Sequence, residues 1–373
     1  MPEAVYIRKA SYDYDRLEPV VFELLEGTLA GRITPGMNVI LKPNLLAPAA
    51  PQTAIATHPL IVRAAAGYVL SKGGRVTISD SPAIGSFERV ISTTGLKEAL
   101  SGLDVDFRQF KTSAEVVSDG PFKKLELARE ALEAGLVINL PKLKTHAQMT
   151  LTAGVKNLFG CVVGMKKPQW HFRTGVDRQM FAMLLLEIYK AISPAATLVD
   201  GIMAMEGHGP GRSGTPRQLG VLLASRDAVR LDWAISTMLG LDPEIVPTCK
   251  AAKEAGLAPE NFIVTGDVTA DTLLAADFKF PDPEGLVFGP GPMKGFLRKH
   301  LVKQPVEDPG LCKLCGECWK YCPAHALEKK GRRLSFDYEK CIRCYCCLEV
   351  CPQGAISARH TLLGLLIGKL FGK

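Results

Sequence analysis

The chain has 373 residues, 47% of them hydrophobic, and a formal net charge of +7. That length gives room for two or three domains with full hydrophobic cores, which argues against a small scaffold stapled by disulfides. No run of about 18 apolar residues occurs, so no spanning helix is expected. Met1-Pro-Glu-Ala lacks the basic head and apolar run of a secretory signal, so a cytoplasmic, reducing setting is expected.

Short apolar runs fall at 5–8, 37–41, 75–79, 136–140, 196–199 and 219–224. They read as strands buried on both faces. Helical periodicity lies between them at 19–29, 60–71, 128–134, 178–192 and 228–239. The alternation predicts an α/β fold, with a mainly parallel sheet layered with helices over residues 1–280.

Ligands of such sheets sit beyond the carboxyl ends of strands. Polar residues gather at four of these predicted ends: Lys42-Pro43-Asn44, Asp80-Ser81-Pro82, Pro141 to His146, and Asp200-Gly201 followed by Glu206-Gly207-His208. Lys42, Lys142, Lys144 and Lys156, with the amides of Asn44 and Asn157, would form a pocket for a carboxylate or phosphate. Lys156 stands inside an apolar stretch, 151–163, where a lysine either snorkels or is paired. His146 follows two cations, which favour a neutral imidazole fit for a general base or a ligand. Asp80, Asp200, Glu206, His58 and His208 offer a second expectation, a divalent metal in the N-terminal domain.

Lys142-Leu-Lys-Thr-His146, then Thr152, then Lys156-Asn157-Leu-Phe-Gly160, resembles the signature of the family called domain of unknown function 362. Lys42-Pro-Asn44, Asp80-Ser-Pro82 and the Asp200 to Glu206 stretch also match. The resemblance covers about residues 35–240. It implies an α/β domain that often carries a two-cluster ferredoxin segment at its C-terminus, and it supplies little mechanism.

Gly209-Pro-Gly211-Arg-Ser-Gly214 has the form G-x-G-x-x-G, but a strand and not a helix is expected after it, so it is not read as a dinucleotide site. A loop over a ligand, with Arg212 as an anion contact, remains open. The basic, aromatic interval 164–173 reads as a surface loop, with stacking on a planar ligand as the alternative. Residues 281–308 are rich in Pro and Gly and read as a linker.

Cys312-x-x-Cys315-x-x-Cys318-x-x-x-Cys322-Pro recurs 29 residues later as Cys341-x-x-Cys344-x-x-Cys347-x-x-x-Cys351-Pro. Thiolates at this spacing wrap a cubic iron–sulfur cluster. Structural zinc competes, but it explains neither the third cysteine of each run nor the prolines. The duplication, over 309–358, resembles bacterial two-cluster ferredoxins, a small α+β domain. The resemblance implies that Cys312, Cys315, Cys318 and Cys351 hold one 4Fe–4S cluster, and that Cys341, Cys344, Cys347 and Cys322 hold the other. Cys346 is an extra thiol expected to be a small buried residue, with a ligand swap or a redox role as the alternative, and Cys161 and Cys249 are expected core thiols.

From Pro309 onward, eleven Lys plus Arg stand against five Asp plus Glu, so almost all the excess charge lies on this segment. It offsets cluster charge and would steer an acidic electron donor such as a ferredoxin or flavodoxin. With no aromatic–basic recognition motif, no nucleic acid is expected. The apolar segment 359–373 is expected to form a helix that folds back, docks on a partner or lies weakly on a membrane surface. The expected function is an iron–sulfur oxidoreductase relaying low-potential electrons to an anionic substrate or cofactor in the N-terminal domain, with His146, Lys142, Lys144 and Lys156 catalytic. Lys42, Asn44, Asp80, Asn157, Asp200 and Glu206 would bind the substrate. The alternative is a non-catalytic electron-transfer subunit or assembly factor.

Overall fold

The computed structural model describes residues 4–175, 177–269, 272–281, 300–361 and 363–365. Most of the expected linker, and most of the expected C-terminal helix, lie outside the described residues.

The larger lobe is built from β1 (Ala4–Lys9), β2 (Asn38–Pro43), β3 (Arg75–Ile78), β4 (Val105–Phe107), β5 (Ser113–Val117), β6 (Lys124–Ala128), β7 (Leu136–Leu140), β8 (Lys142–His146), β9 (Thr150–Thr152), β10 (Ala196–Gly207), β11 (Gly214–Ser225) and β12 (Ile263–Gly266). Ten of them form one sheet in the order β12-β1-β11-β10-β7-β2-β3-β4, with β8 and β9 continuing it beside β10, while β5 and β6 form a separate hairpin. Most neighbours run parallel; β1–β11, β10–β11 and β8–β9 are antiparallel. The fold is thus mixed but mostly parallel, with helices on both faces. Period two decides which face each residue meets. Val39 and Leu41 pack with the helices Tyr14–Leu29 and Pro59–Ser71, while Ile40 packs with the helix Arg178–Ile192.

Two expectations are corrected here. The helix expected at 128–134 is a single turn, Arg129–Leu132, because β6 takes Ala128 into a strand. The strand expected at 196–199 runs on to Gly207, flanked by β11 and β8, so Asp200 and Glu206 lie within a strand rather than beyond its end. Likewise Lys142 to His146 is itself a strand. Pro141, which has no N–H for the ladder, separates it from β7, and the Pro141 carbonyl accepts from Asp200 N at 2.9 Å.

The cysteine lobe pairs β13 (Gln304–Glu307) with β16 (Ile356–Arg359) and β14 (Leu327–Lys330) with β15 (Arg333–Phe336). Its two halves repeat each other residue for residue. Helical turns occupy Glu317–Lys320 and Cys346–Glu349. Left-handed backbone recurs at Leu314 and Arg343 (φ 51° and 57°), Gly316 and Tyr345 (98° and 59°), and His325 and Gly354 (47° and 64°), each pair 29 residues apart. Non-glycine residues hold this conformation only where the surroundings over-determine it; Tyr345, for example, is buried and donates to the Lys303 carbonyl at 2.8 Å.

The strand-end loops of the large lobe cup the small one. Ala47, Ala83, Ile84 and Ala147 share an apolar cluster with Tyr321, Leu348 and Val350. The β10–β11 turn also docks there: a Cβ on Gly211 would stand 3.1 Å from the Glu349 carbonyl oxygen, and Ser213 Oγ donates to Gly354 O at 3.4 Å.

Candidate active site between the two lobes

Five lysines enter the region from β2, β8, the helical turn Gly154–Asn157 and the helix Lys166–Thr174. Lys42 pairs with Asp80 at 3.0 Å, both buried, and Gly160 packs so closely that a Cβ there would overlap both side chains. Lys142 pairs with Asp200 at 2.9 Å, both fully buried. Asp200 also accepts from Tyr12 Oη and from His58 N, and the His58 ring stacks on Tyr12. Lys144 donates to Asn44 Oδ1 at 2.8 Å and to Ile55 O at 2.6 Å. Lys167 donates to Ser81 O at 2.7 Å.

A chain of amides fixes the spacing between these groups. Asn44 Nδ2 donates to Asn157 Oδ1 (2.9 Å), Asn157 Nδ2 to Asn139 Oδ1 (2.8 Å), and Asn139 Nδ2 to Gly154 O (2.9 Å). Fully satisfied buried networks of this kind hold one geometry. The turn that presents Lys156 and Asn157 is anchored by Asp232, which accepts from Gly154 N and Val155 N. Burial pushes the Asp232 carboxyl up to about 7, against those two bonds.

Between the lobes lies a cavity of about 250 Å³. The sheet side lines it with Asn44, Asp80, Lys144, Thr152, Lys156 and Asn157, and the helix Lys166–Thr174 adds Lys167 and His171. The cysteine lobe closes it with Tyr321, Cys346 and Glu349. Tyr321 and Cys346 each adjoin an expected cluster ligand, Cys322 and Cys347.

Electrostatics follow from enclosure. Burial brings Lys144 down to about 7, with Lys156 pushing the same way, and brings Lys167 to about 7 as well. Burial, with Lys156, lowers His146 to about 4, so its imidazole is neutral at ordinary pH. His146 Nδ1 accepts from Gln148 N and Met149 N, which places the ring proton on Nε2, 2.8 Å from Glu349 Oε1. Burial opposes ionisation of Glu349, but that contact and the Lys156 charge outweigh it and hold the carboxyl well below its usual range.

The geometry brings together Asn44, Asp80, Lys144, Lys156 and Asn157, and it leaves others aside. Lys42, Lys142 and Asp200 lie behind the cavity, consumed by their ion pairs. His146 reaches it only through Glu349. Glu206 is buried elsewhere, accepting from Lys279 N at 3.2 Å, and His208 is exposed. The divalent metal is therefore corrected: its five candidate ligands are spread over separate partners. Among the described residues no three His, Cys, Asp or Glu side chains form a single-ion site. Most of the interval 164–173 is helix, Lys166–Thr174, rather than a loop, and Arg212 packs on Gly354 instead of lining this cavity. Glu349, Lys167 and His171 escaped the sequence reading. Lys167 and His171 stand four apart, which on a helix is one face and was the available signal.

The cysteines fit the iron–sulfur clusters that the spacing implies. Cys312, Cys315, Cys318 and Cys351 surround one small void, so Cys351 of the other run stands beside the first three. Cys322 is placed among Cys341 and Cys344, and Cys347 among Cys341, Cys344 and Cys322. The peptide N–H of Ala326 donates to Cys322 Sγ and that of Ala355 to Cys351 Sγ, at 3.3 and 3.2 Å. Such bonds stabilise thiolate ligands and tune cluster potential. The first set is the more open: Cys315 is exposed, while Cys322, Cys341, Cys344 and Cys347 are all buried.

Residues 39–237 match the family described as a domain of unknown function (DUF362), and residues 304–352 match a 4Fe-4S dicluster domain. A thylakoid-associated protein of Synechocystis sp. is 41% identical over 279 residues, 74% of this chain and 87% of that protein. Pyruvate synthase subunit PorD of Thermotoga maritima is 37% identical over 59 residues, 16% of this chain and 60% of the subunit. Lactate racemase apoprotein from Thermoanaerobacterium thermosaccharolyticum aligns with a TM-score of 0.40 at 14% identity. That alignment covers 60% of this chain and about half, 54%, of the racemase chain.

Proposed function

Because the chain belongs to the DUF362 family and carries a 4Fe–4S dicluster domain made for electron transfer, we propose that it is an iron–sulfur oxidoreductase acting on an anionic substrate or cofactor in the cavity between its lobes. The carrying observation is that one cavity is walled by Lys144 and Lys156 on one side and by Cys346 and Glu349, from a cysteine run, on the other. When bound, the clusters supply one-electron transfer. This reading keeps the division into an α/β part up to about residue 280 and a two-cluster part from about 309.

The chain's own residues would bind and orient the substrate. Lys144 and Lys156 supply positive charge in a place shielded from water, where charge acts strongly. Asn44 and Asn157 hold the two lysines in register. His146 keeps its proton on Nε2 facing Glu349, which lines the cavity, and so favours the ionised carboxylate there. The more open set of ligands, at Cys315, faces a low-potential donor such as a ferredoxin or flavodoxin. The setting is the cytoplasm or a membrane surface reached from it. A thylakoid-associated relative accords with the latter, and no helix among the described residues is long and apolar enough to cross a membrane.

The test is anaerobic. Dithionite-reduced protein is mixed with a panel of small carboxylate and phosphate acceptors, and its reoxidation is followed optically and by electron paramagnetic resonance. An acceptor that reoxidises the wild type, and does so at least tenfold more slowly in Lys156→Met, supports the reading. Two reducible clusters that no anion reoxidises would sink it. They would favour the second reading, an electron-transfer subunit, which the similarity of residues in the cysteine lobe to PorD supports.

A further inference from the structure

Of the five lysines, four have acceptors: Asp80 for Lys42, Asp200 for Lys142, Asn44 and Ile55 O for Lys144, and Ser81 O for Lys167. Lys156 is half-buried, lines the cavity, and among the described residues has no acceptor at hydrogen-bond or ion-pair distance; the Glu349 carboxylate across the cavity acts on it only from farther off. Two further groups around the cavity share that lack of a partner. Thr152 Oγ1 and His171 Nδ1 are buried, 3% and 4% exposed as residues, line the cavity and lack any hydrogen-bond partner. A buried polar atom left unpaired is costly, so two of them beside an unpaired lysine around one cavity call for a ligand.

The rest of the lining says what kind. Pro82, Phe159, Met165 and Pro168 are apolar, and Phe159 stands edge-on to the His171 ring at 5.4 Å. The volume, about 250 Å³, falls just under the usual range of ligand pockets, roughly 300–1,000 Å³. Resting on the reading of the cavity given above, we infer that its substrate class is a small organic carboxylate, held at its anionic end by Lys156, Thr152 and His171 with an apolar body against Phe159 and Met165. Thr152 donates its hydroxyl to the carboxylate, and Lys156 adds the charge. Burial draws the Lys156 ammonium below its usual range, and a bound carboxylate opposes that shift.

The test is a calorimetric titration of the full, cluster-loaded chain under anaerobic conditions, with benzoate, acetate and inorganic phosphate as probes. Benzoate should bind at one saturable site, at least tenfold tighter than acetate, and phosphate should not displace it. Lys156→Met should weaken benzoate binding at least tenfold and Thr152→Val several-fold, with the visible cluster spectrum unchanged as the check on folding. No benzoate binding, phosphate competing on equal terms, or benzoate affinity unchanged in both variants overturns the inference. Because the titration reads binding and not turnover, it decides this point even where no electron reaches a substrate, the result that would defeat the redox reading instead.

Discussion

His146 Nε2 stands 2.8 Å from Glu349 Oε1, and this contact ties β8 of the sheet to the helical turn that carries Cys346 and Cys347. With the Ser213 Oγ–Gly354 O bond, it is one of the polar fastenings in a largely apolar junction between the lobes. Glu349→Ala removes the carboxylate that approaches the buried Nε2 at a poor hydrogen-bond angle, so the expected loss is at the low end of about 1–3 kcal/mol. Denaturant unfolding of the cluster-loaded protein measures it. Glu349→Gln, whose carbonyl still accepts, should lose less.

The Lys142–Asp200 pair lies fully buried with Tyr12 and His58 around it. Removing one partner strands a charge, so Asp200→Ala should cost about 3–5 kcal/mol, whereas the double change Lys142→Met with Asp200→Leu should recover most of that. Unfolding midpoints of the two proteins decide the matter. An equal loss in both would show that the pair contributes no more than its volume.

Burial depresses Lys144 and Lys167 from 10.5 to about 7. Between pH 7 and 10.5 the unfolded chain therefore binds more protons at these sites than the native one does. Native stability should rise with pH across that window, by at most about 1.4 kcal/mol per unit for each lysine, and this contribution disappears as pH falls through 7. Lys144→Met should flatten the rise by up to half, measured from unfolding curves at pH 7, 8 and 9.

Crossed ligation gives a spectroscopic expectation. Cys351 belongs by sequence to the second run but lines the void of the first set. Cys351→Ala should abolish or alter the signal of the cluster at Cys312, Cys315 and Cys318, and leave the other intact. Cys322→Ala should do the reverse. Electron paramagnetic resonance of each reduced variant reads which centre is lost.

Much of this was legible in the sequence, because strand runs and cysteine spacing are local patterns. The layering followed from apolar runs alternating with helical periods, and the dicluster segment from a repeat of 29 residues. What stayed hidden depends on contact between distant segments. Nothing around Lys142 tells that its charge is spent on Asp200, so a lysine behind the cavity read like one lining it. Glu349 sits among cysteines and looked like a surface residue of a helical turn. Only docking against β8 gives it a role. Asp200 and Glu206 misled for a different reason: β10 runs eight residues past the expected end at Val199, to Gly207, because both its neighbours continue with it.

The two cysteine runs share a backbone but not an environment. Dissolved oxygen and chelators meet Cys315 at the surface, while the thiols next to the cavity are shielded by protein. A partly spoiled sample is therefore expected to lose the centre at Cys315 first.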